Sequence, residues 1–221
     1  MFLRAERVVE VNLDRSAATD ATMQMVGQLA DLTDLSLEGT EVGDEGLAAL
    51  AGLRQLEWLD LYRTRVGDDG LAKLRGLRRL RYLPLGSTRV SDRGLTHLAA
   101  LPQLEYLGLR ANRITDAGVA TIATLARLEA LHLGETALTD AGVQKLATLT
   151  RLKKLWLDDT AITDACVPEL ARLKSLGELH VERTRLSAGG LRRLRAALPS
   201  CDVISTAPPG DRSGNDGSDG R

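Results

Sequence analysis

Apolar residues recur along the chain with a fixed period of 24 residues. Each unit opens with leucines spaced L-x-x-L-x-L, as in "LTDLSLEGTEVGDEGL" from Leu32 and "LRYLPLGSTRVSDRGL" from Leu80. Full units begin, without insertion, at Leu32, Leu56, Leu80, Leu104, Leu128, Leu152 and Leu176. A diverged unit with matching positions precedes them, which makes about eight units over residues 5–198.

Each unit predicts a short strand, a turn and a helix. The leucines at 80, 83 and 85 are placed to face the core from one strand. In the turn, a hydroxyl or amide is expected to bond the loop backbone at Thr40, Thr64, Thr88, Asn112, Thr136, Thr160 and Thr184. Helix N-caps are expected at Gly43, Gly67, Ser91, Thr115, Thr139, Thr163 and Ser187.

An aspartate follows most of these caps. The helix dipole favours a carboxylate in the first helical turn, so a structural role is expected for Asp44, Asp68, Asp92, Asp116, Asp140 and Asp164. We call these residues the aspartate column, and this structural role explains them without a metal ion. Apolar residues three apart, as at Leu47, Leu50 and Leu53, then form one helical face.

No single unit can bury its own apolar face, so neighbouring units must stack. We therefore expect one α/β domain over residues 1–204, a solenoid with a parallel sheet on its concave face and helices on its convex face. Residues 199–204 are expected to close it, and the polar residues 205–221 to form a disordered tail. Little chain precedes the first strand at Val8–Leu13, whose edge is expected to be exposed and available for self-association.

The period and the L-x-x-L-x-L spacing resemble the leucine-rich repeat. The "T-D-x-G-L-x-x-L" half is similar to the helix-bearing repeats of ribonuclease inhibitor and F-box proteins, and "GLAALAGL" to repeats of bacterial effectors. The resemblance covers nearly the whole chain. It implies a right-handed horseshoe that recognises other proteins, without indicating which ones.

The strand residues that the core does not use include every Trp and Tyr of the chain. We expect them on the concave face, at Trp58, Tyr62, Tyr82, Tyr106 and Trp156. Exposed aromatic clusters are typical of binding hot spots, although cross-strand stabilisation of the sheet is the alternative explanation.

Small residues adjoin these aromatic side chains. Pro84 and Gly108, with Gly86, Ser87, Ala111, Ala130 and Gly134, predict a hollow that a partner's side chain can enter, unless these are unselected glycines on a solvent face. Polar specificity around the aromatic anchors is assigned to Asp60, Arg110, His132 and Asp158. Pro84 lacks the N–H of a strand residue, a loss that a many-stranded solenoid is expected to absorb.

Charge narrows the class of partner. The five concave positions of the eight units carry thirteen acidic and seven basic side chains, against a net charge of −1 for the chain. This excess indicates a partner with basic patches, or else serves solubility, and it argues against nucleic acid.

Catalytic and metal chemistry is not expected. His132 and His180 lie two units apart, too far to share a metal ion, and Cys166 and Cys201 have the setting of small buried residues. We therefore expect no enzyme and no cofactor. The chain has no apolar run long enough for a membrane span, and two cysteines fit a reducing compartment, so a cytoplasmic location is expected, with secretion as an effector as the alternative.

These observations favour a non-catalytic module that binds a protein or peptide on its concave face. Two other functions remain open from the sequence. One is the substrate-recognition part of a ubiquitin-ligase adaptor or bacterial effector. The other is a structural scaffold that assembles through its exposed end strand.

Overall fold

A computed structural model describes residues 2–4 and 7–206 of the chain. The strands are β1 Phe2–Arg4, β2 Arg7–Asn12, β3 Asp34–Ser36, β4 Trp58–Asp60, β5 Tyr82–Pro84, β6 Tyr106–Gly108, β7 Ala130–His132, β8 Lys154–Trp156, β9 Glu178–His180 and β10 Asp202–Ile204. The α-helices are α1 Asp20–Val26, α2 Asp44–Leu50, α3 Asp68–Lys73, α4 Asp92–Leu95, α5 Asp116–Ile122, α6 Asp140–Leu146, α7 Val167–Leu170 and α8 Ala188–Ala197. Short 3-10 helices lie at Leu74–Gly76, Thr96–Ala100 and Asp164–Cys166.

The strands form one open sheet in the order β1 to β10. Strands β2 to β10 are parallel, and equivalent residues of successive units pair directly, as Leu83 does with Leu107. Because each strand returns through a helix on the same side, the sheet lines the concave face and the helices the convex face. The α/β solenoid predicted from the 24-residue period is confirmed.

The core is aliphatic and continuous from unit to unit. The strand leucines at 80, 83 and 85 have no exposed surface, and the same holds for the helical positions Leu47 and Leu50. None of the five Trp and Tyr residues is buried in it. Leucine columns therefore supply the hydrophobic stabilisation, which leaves the aromatic side chains on the concave face.

The turn after each strand is held by the predicted side-chain bonds. Six threonine hydroxyls each donate to the carbonyl three residues earlier at 2.6–2.8 Å. Asn112 instead donates from Nδ2 to the carbonyl of Leu85 in the preceding unit, at 2.7 Å. The residue before each of these positions has a positive φ, glycine at Gly39 and other residue types at the equivalent sites. The side-chain bonds thus hold a left-handed turn that most of these residues would not favour alone.

The aspartate column has a role beyond its predicted one. Each aspartate does lie in the first turn of its helix, but its carboxylate reaches across to the next unit. Oδ1 accepts the N–H of the following N-cap residue at 2.6–2.9 Å, from Asp20 with Gly43 through Asp164 with Ser187. Where that cap is Ser or Thr, its hydroxyl donates to Oδ2 at 2.5–2.7 Å. The column therefore joins neighbouring units.

The glycine two residues after each aspartate makes room for this contact. A Cβ at Gly118 or Gly142 would lie less than 3.0 Å from the aspartate of the preceding unit. Cys166 takes the glycine position in its own unit, where it is buried. Its burial, and next the charge of Asp140, raise the pKa of the thiol to about 12. Cys166 is thus a structural residue with little thiolate, and both cysteines are free.

The two ends of the sheet differ from each other. Strand β10 pairs with β9, which agrees with the closing role expected of residues 199–204. The expectation of an exposed edge at Val8–Leu13 is wrong, because β1 turns back and pairs with β2 in antiparallel fashion. Residues 207–221, most of the tail expected to be disordered, lie outside the described residues.

Candidate functional site

All eleven residues singled out from the sequence lie on the concave face, in three rows that run across the strands. The first row contains Trp58, Tyr82 and Tyr106, paired in register. The second contains Asp60, Pro84, Gly108, His132 and Trp156. The third lies just beyond the strands and contains Tyr62, Arg110 and Asp158. The parallel register thus brings together residues that are separated by multiples of 24 positions.

Pro84 interrupts the pairing of its own strand. Strands β4 and β5 pair only at Trp58 and Tyr82, whereas β5 and β6 pair at three positions. Since Pro84 has no N–H, it cannot donate to β4. The ladder resumes when the N–H of Leu61 donates to the carbonyl of Pro84 at 2.9 Å.

Trp58 and Tyr82 form a stacked pair, with ring centroids 5.0 Å apart and planes 27° apart. Trp58 is 37% exposed, which is unusual for a large apolar side chain in this protein. The guanidinium of Arg81 lies 5.5 Å from the Tyr82 ring and also donates to Glu105 at 2.8 Å. This exposed, preorganised aromatic surface suits contact with another molecule.

Tyr106 does not continue that stack. A Cβ built on Gly108 would lie 3.0 Å from the Tyr106 hydroxyl oxygen, which shows that the ring leans along its own strand. Burial, and secondarily the charge of Asp60, raise the pKa of Tyr106. The sequence places the three rings side by side, but side-chain rotamers separate the third from the other two.

Tyr106 helps to line a hollow of about 150 Å³. Its other walls are Tyr62, Pro84, Gly86, Gly108, Arg110 and His132. Of the small residues predicted to form the hollow, Ser87, Ala111, Ala130 and Gly134 do not line it. Gly86 is required for a different reason: a Cβ there would lie 2.8 Å from the Tyr62 ring, so the glycine lets that ring pack across the sheet.

A second aromatic row lies beyond the hollow. Trp156 is stacked on His132, with ring centroids 5.5 Å apart, and its centroid lies 5.7 Å from that of His180, whose ring is tilted by 34°. His132 Nδ1 accepts the N–H of Gly134 at 3.1 Å. Burial, and next the positive charge of Arg110, lower the pKa of His132, so its ring is neutral at pH 7.

Ion pairs divide the acidic residues of this face into two classes. Seven of the thirteen have a basic partner among the described residues: Glu38, Glu57, Glu105, Glu129, Glu135, Asp159 and Glu178. The six without one in the same part of the chain form two groups, one of Glu10, Asp14, Asp34 and Asp60, and one of Asp158 and Glu182.

Three members of the first group, all except Asp14, line a pocket of about 260 Å³ at the N-terminal end. Its walls include Glu10, Asp34, Ser36, Asp60 and the side chain of Trp58. Burial raises the pKa of Asp60, an effect opposed by the N–H of Tyr62 and supported by the charge of Asp14. From the sequence, Trp58 and Asp60 were placed on this face, but no acidic pocket was predicted around them. The missed signal was the exposed Trp58 beside those carboxylates.

A family model described as "Leucine Rich repeat" matches residues 28–51 and 127–147. The chain is a leucine-rich-repeat protein. No curated protein sequence matches it.

Two internalins of Listeria monocytogenes have similar structures. Internalin InlF shares 25% identity and a TM-score of 0.75, over 89% of this chain and 54% of its own. Internalin C2 shares 28% identity and a TM-score of 0.72, over 90% and 80% respectively. This leucine-rich-repeat protein therefore spans about half the length of the first of these relatives.

A plant relative shows the same fold. The leucine-rich-repeat ectodomain of the Arabidopsis receptor kinase HAESA, in complex with an IDA peptide hormone, shares 21% identity and a TM-score of 0.70, over 92% of this chain and 35% of its own. Within the described residues, no helix has the length and apolar character needed to cross a membrane.

Proposed function

We propose that this leucine-rich-repeat protein is a non-catalytic module that binds a protein or peptide on its concave face. The observation that carries the proposal is the stacked pair of Trp58 and Tyr82, which lies outside the core and of which Trp58 forms a wall of the acidic pocket. Tyr62, Tyr106 and Trp156 extend the apolar surface. The HAESA structure supports the general mode, since an ectodomain of this fold was solved in complex with a peptide hormone.

The acidic pocket selects a basic side chain of the partner. Glu10, Asp34 and Asp60 supply negative charge that no described basic residue neutralises. A Lys or Arg entering the pocket also meets the face of Trp58, and a cation over an indole contributes about 0.5–2 kcal/mol. This assignment gives the acidic excess of the concave face a location.

The hollow selects a small apolar side chain. A cavity of about 150 Å³ is large enough for a group the size of benzene. Pro84 and Gly108 form its floor, and Arg110 and His132 offer polar contacts at its edge. The pocket lies around β3 and the hollow around β5 and β6, roughly 12 Å apart at ~4.8 Å per strand. An extended peptide crosses that distance in about four residues.

Selection from a displayed random peptide library tests this function. We expect enriched peptides to carry Lys or Arg about four residues from a small aliphatic residue, with affinity that falls as salt is added. Replacing Trp58, Tyr82 and Tyr106 together by Ala is expected to weaken binding roughly 30-fold or more, the effect of losing about 2 kcal/mol at a hot spot.

Matched control variants distinguish binding at this site from non-specific binding. Met25 is 67% exposed on the convex face, so Met25→Ala removes apolar surface there and is expected to leave binding unchanged. Gly108→Leu fills the hollow and is expected to abolish selection of the aliphatic residue only. Selected peptides that bind equally to the triple variant, with the fold intact by circular dichroism, contradict the proposal.

The cellular location of the protein and the exclusion of nucleic acid as a partner remain predictions. A cytoplasmic site of action is carried over from the sequence, and the concave acidic residues support a protein partner over nucleic acid. Self-association is not proposed, because β1 pairs with the strand edge expected to drive it.

A further inference from the structure

Three potential metal ligands converge at the C-terminal end of the concave face. Asp158, His180 and Glu182 each place one ligand atom so that the three atoms lie within 4.8 Å of one another. His180 ends β9, while Asp158 and Glu182 each lie two residues beyond the ends of β8 and β9. These are the second group of acidic residues without a basic partner in the described chain, together with a histidine.

Contacts at the edge of the cluster orient two of the ligands. Asp158 accepts the N–H of Glu182 through Oδ1 at 2.9 Å, which leaves Oδ2 available. His180 Nε2 lies 2.8 Å from Glu178 Oε1. Because an ionised carboxylate only accepts, Nε2 is the donor in this contact, and a metal ion would be bound through the lone pair of Nδ1. Lys154 in turn holds Glu178 at 2.8 Å.

His132 shows what the same position looks like without such ligands. It lies on the opposite face of Trp156, two units earlier in the same row. Its Nδ1 is occupied by the N–H of Gly134. For His180 the equivalent N–H, that of Glu182, goes to Asp158 instead. In place of Gly134 there is the carboxylate of Glu182, so the later histidine has an additional acidic neighbour, and its Nδ1 has no hydrogen-bond partner among the described residues.

We propose that Asp158, His180 and Glu182 bind a divalent metal ion of the zinc class. One imidazole nitrogen and two carboxylate oxygens are ligands that Zn²⁺ accepts, with water completing the coordination. Metal–ligand distances of ~2.1 Å imply ligand atoms about 3.4 Å apart, so the side-chain tips close by at most about 1.4 Å on binding. The carboxylate of Glu178 contacts the other ring nitrogen of His180, and contacts of this kind orient metal-bound histidines.

Trp156 provides a direct probe of this site. The chain has two tryptophans, so the Trp58→Phe variant leaves Trp156 as the sole one, 5.7 Å from His180. Titrating this variant with Co²⁺ is expected to quench the fluorescence in a saturable manner with one ion bound. Zn²⁺ is expected to restore the fluorescence by competition, and Mg²⁺ at the same concentration to have no effect, because Mg²⁺ selects oxygen ligands.

Substitutions in the same background assign the ligands. His180→Ala and Asp158→Asn are expected to remove saturable quenching, and Glu178→Gln to weaken Co²⁺ binding about 10-fold or more. His132→Ala is the matched control, since it removes an equivalent ring from the other face of Trp156 and is expected to leave binding unchanged. Circular dichroism checks that each variant is folded.

Any one of four results would overturn the metal site. They are the absence of saturable quenching, quenching that survives His180→Ala, loss of Co²⁺ binding on His132→Ala, and displacement of Co²⁺ by Mg²⁺ equal to that by Zn²⁺. Because no peptide is involved, these outcomes are independent of the peptide-selection experiment.

Discussion

Replacing Asp68 tests whether the aspartate column holds the repeat units together. Asp68 lies in the first turn of α3, and its side chain is 15% exposed. Its Oδ1 accepts the N–H of Ser91 at 2.8 Å and its Oδ2 the Ser91 hydroxyl at 2.7 Å. The Asp68→Ala variant leaves both donors of the next unit without this acceptor.

The expected loss follows from those two bonds. A hydrogen bond to a charged group contributes about 1.5–3 kcal/mol, and two would sum to about 3–6 kcal/mol if fully buried and additive. Water can reach the site after truncation, so we expect the unfolding free energy to fall by about half of that sum, or ~1.5–3 kcal/mol. Asp69 is the matched control, because its side chain is 77% exposed and contacts only Arg93, at 2.7 Å. Asp69→Ala is expected to change stability by less than about 0.5 kcal/mol.

Urea unfolding followed by circular dichroism and by tryptophan fluorescence measures the difference. Trp58 and Trp156 lie on opposite sides of the altered interface region, so coincident transitions show that the array unfolds as one unit. An Asp68→Ala variant as stable as Asp69→Ala would refute a joining role for the column.

The pH dependence of Asp68 gives a second test. Burial raises the pKa of its carboxyl, but the hydrogen bonds from Ser91 and the charge of Arg93 outweigh burial and lower the pKa below its ordinary value of 3.8. The stabilisation is therefore fully present above pH 3.8 and is lost as the pH falls through the lowered value. The stability advantage of the wild type over Asp68→Asn is expected to be constant near neutral pH and to shrink below pH 3.8.

Two further predictions concern the same interfaces. Gly118→Ala places a Cβ less than 3.0 Å from the Asp92 carboxylate and is expected to cost about 1–3 kcal/mol, whereas Gly52→Ala meets nothing within 4 Å and is expected to stabilise by about 0.4–1 kcal/mol, both by urea unfolding. Equal effects would show that the aspartate contact does not constrain the glycine. The Cys166 thiol, with its pKa raised to about 12, is expected not to react with Ellman's reagent in the native state at pH 8 and to react after denaturation. Rapid native labelling of Cys166 would contradict its buried, protonated state.

Much of the fold could be predicted because every unit has to bury the same apolar positions. The leucine period identifies strands, N-caps and core columns, and the structure agrees at Ser91, Thr115 and their equivalents. The β1 pairing with β2 could not be predicted in this way, since Phe2–Arg4 lies outside the periodic pattern. The role of Asp68 was also only half predictable, because a carboxylate in a first turn can satisfy its own helix or the next one.

The candidate site, too, could be predicted from the sequence only in part. Position within the unit was enough to place the aromatic residues on the concave face. It did not predict that Tyr106 leaves the stack of Trp58 and Tyr82, because neighbouring rotamers and a glycine decide that. Nor did it separate neutralised from unpaired acidic residues, since ion pairs depend on side-chain geometry between units.

The sequence by itself determined the solenoid, its aliphatic core and the face on which the remaining side chains lie. A period of 24 residues allows one stacking register, and burial of the leucines leaves the other strand positions facing outward. Only the tertiary structure decided which outward residues act together. It joined Glu10, Asp34 and Trp58 into one pocket, and Asp158 with His180 into one cluster. Those groupings depend on distances of a few ångströms between side chains of different units, and periodicity places backbones, not side-chain ends.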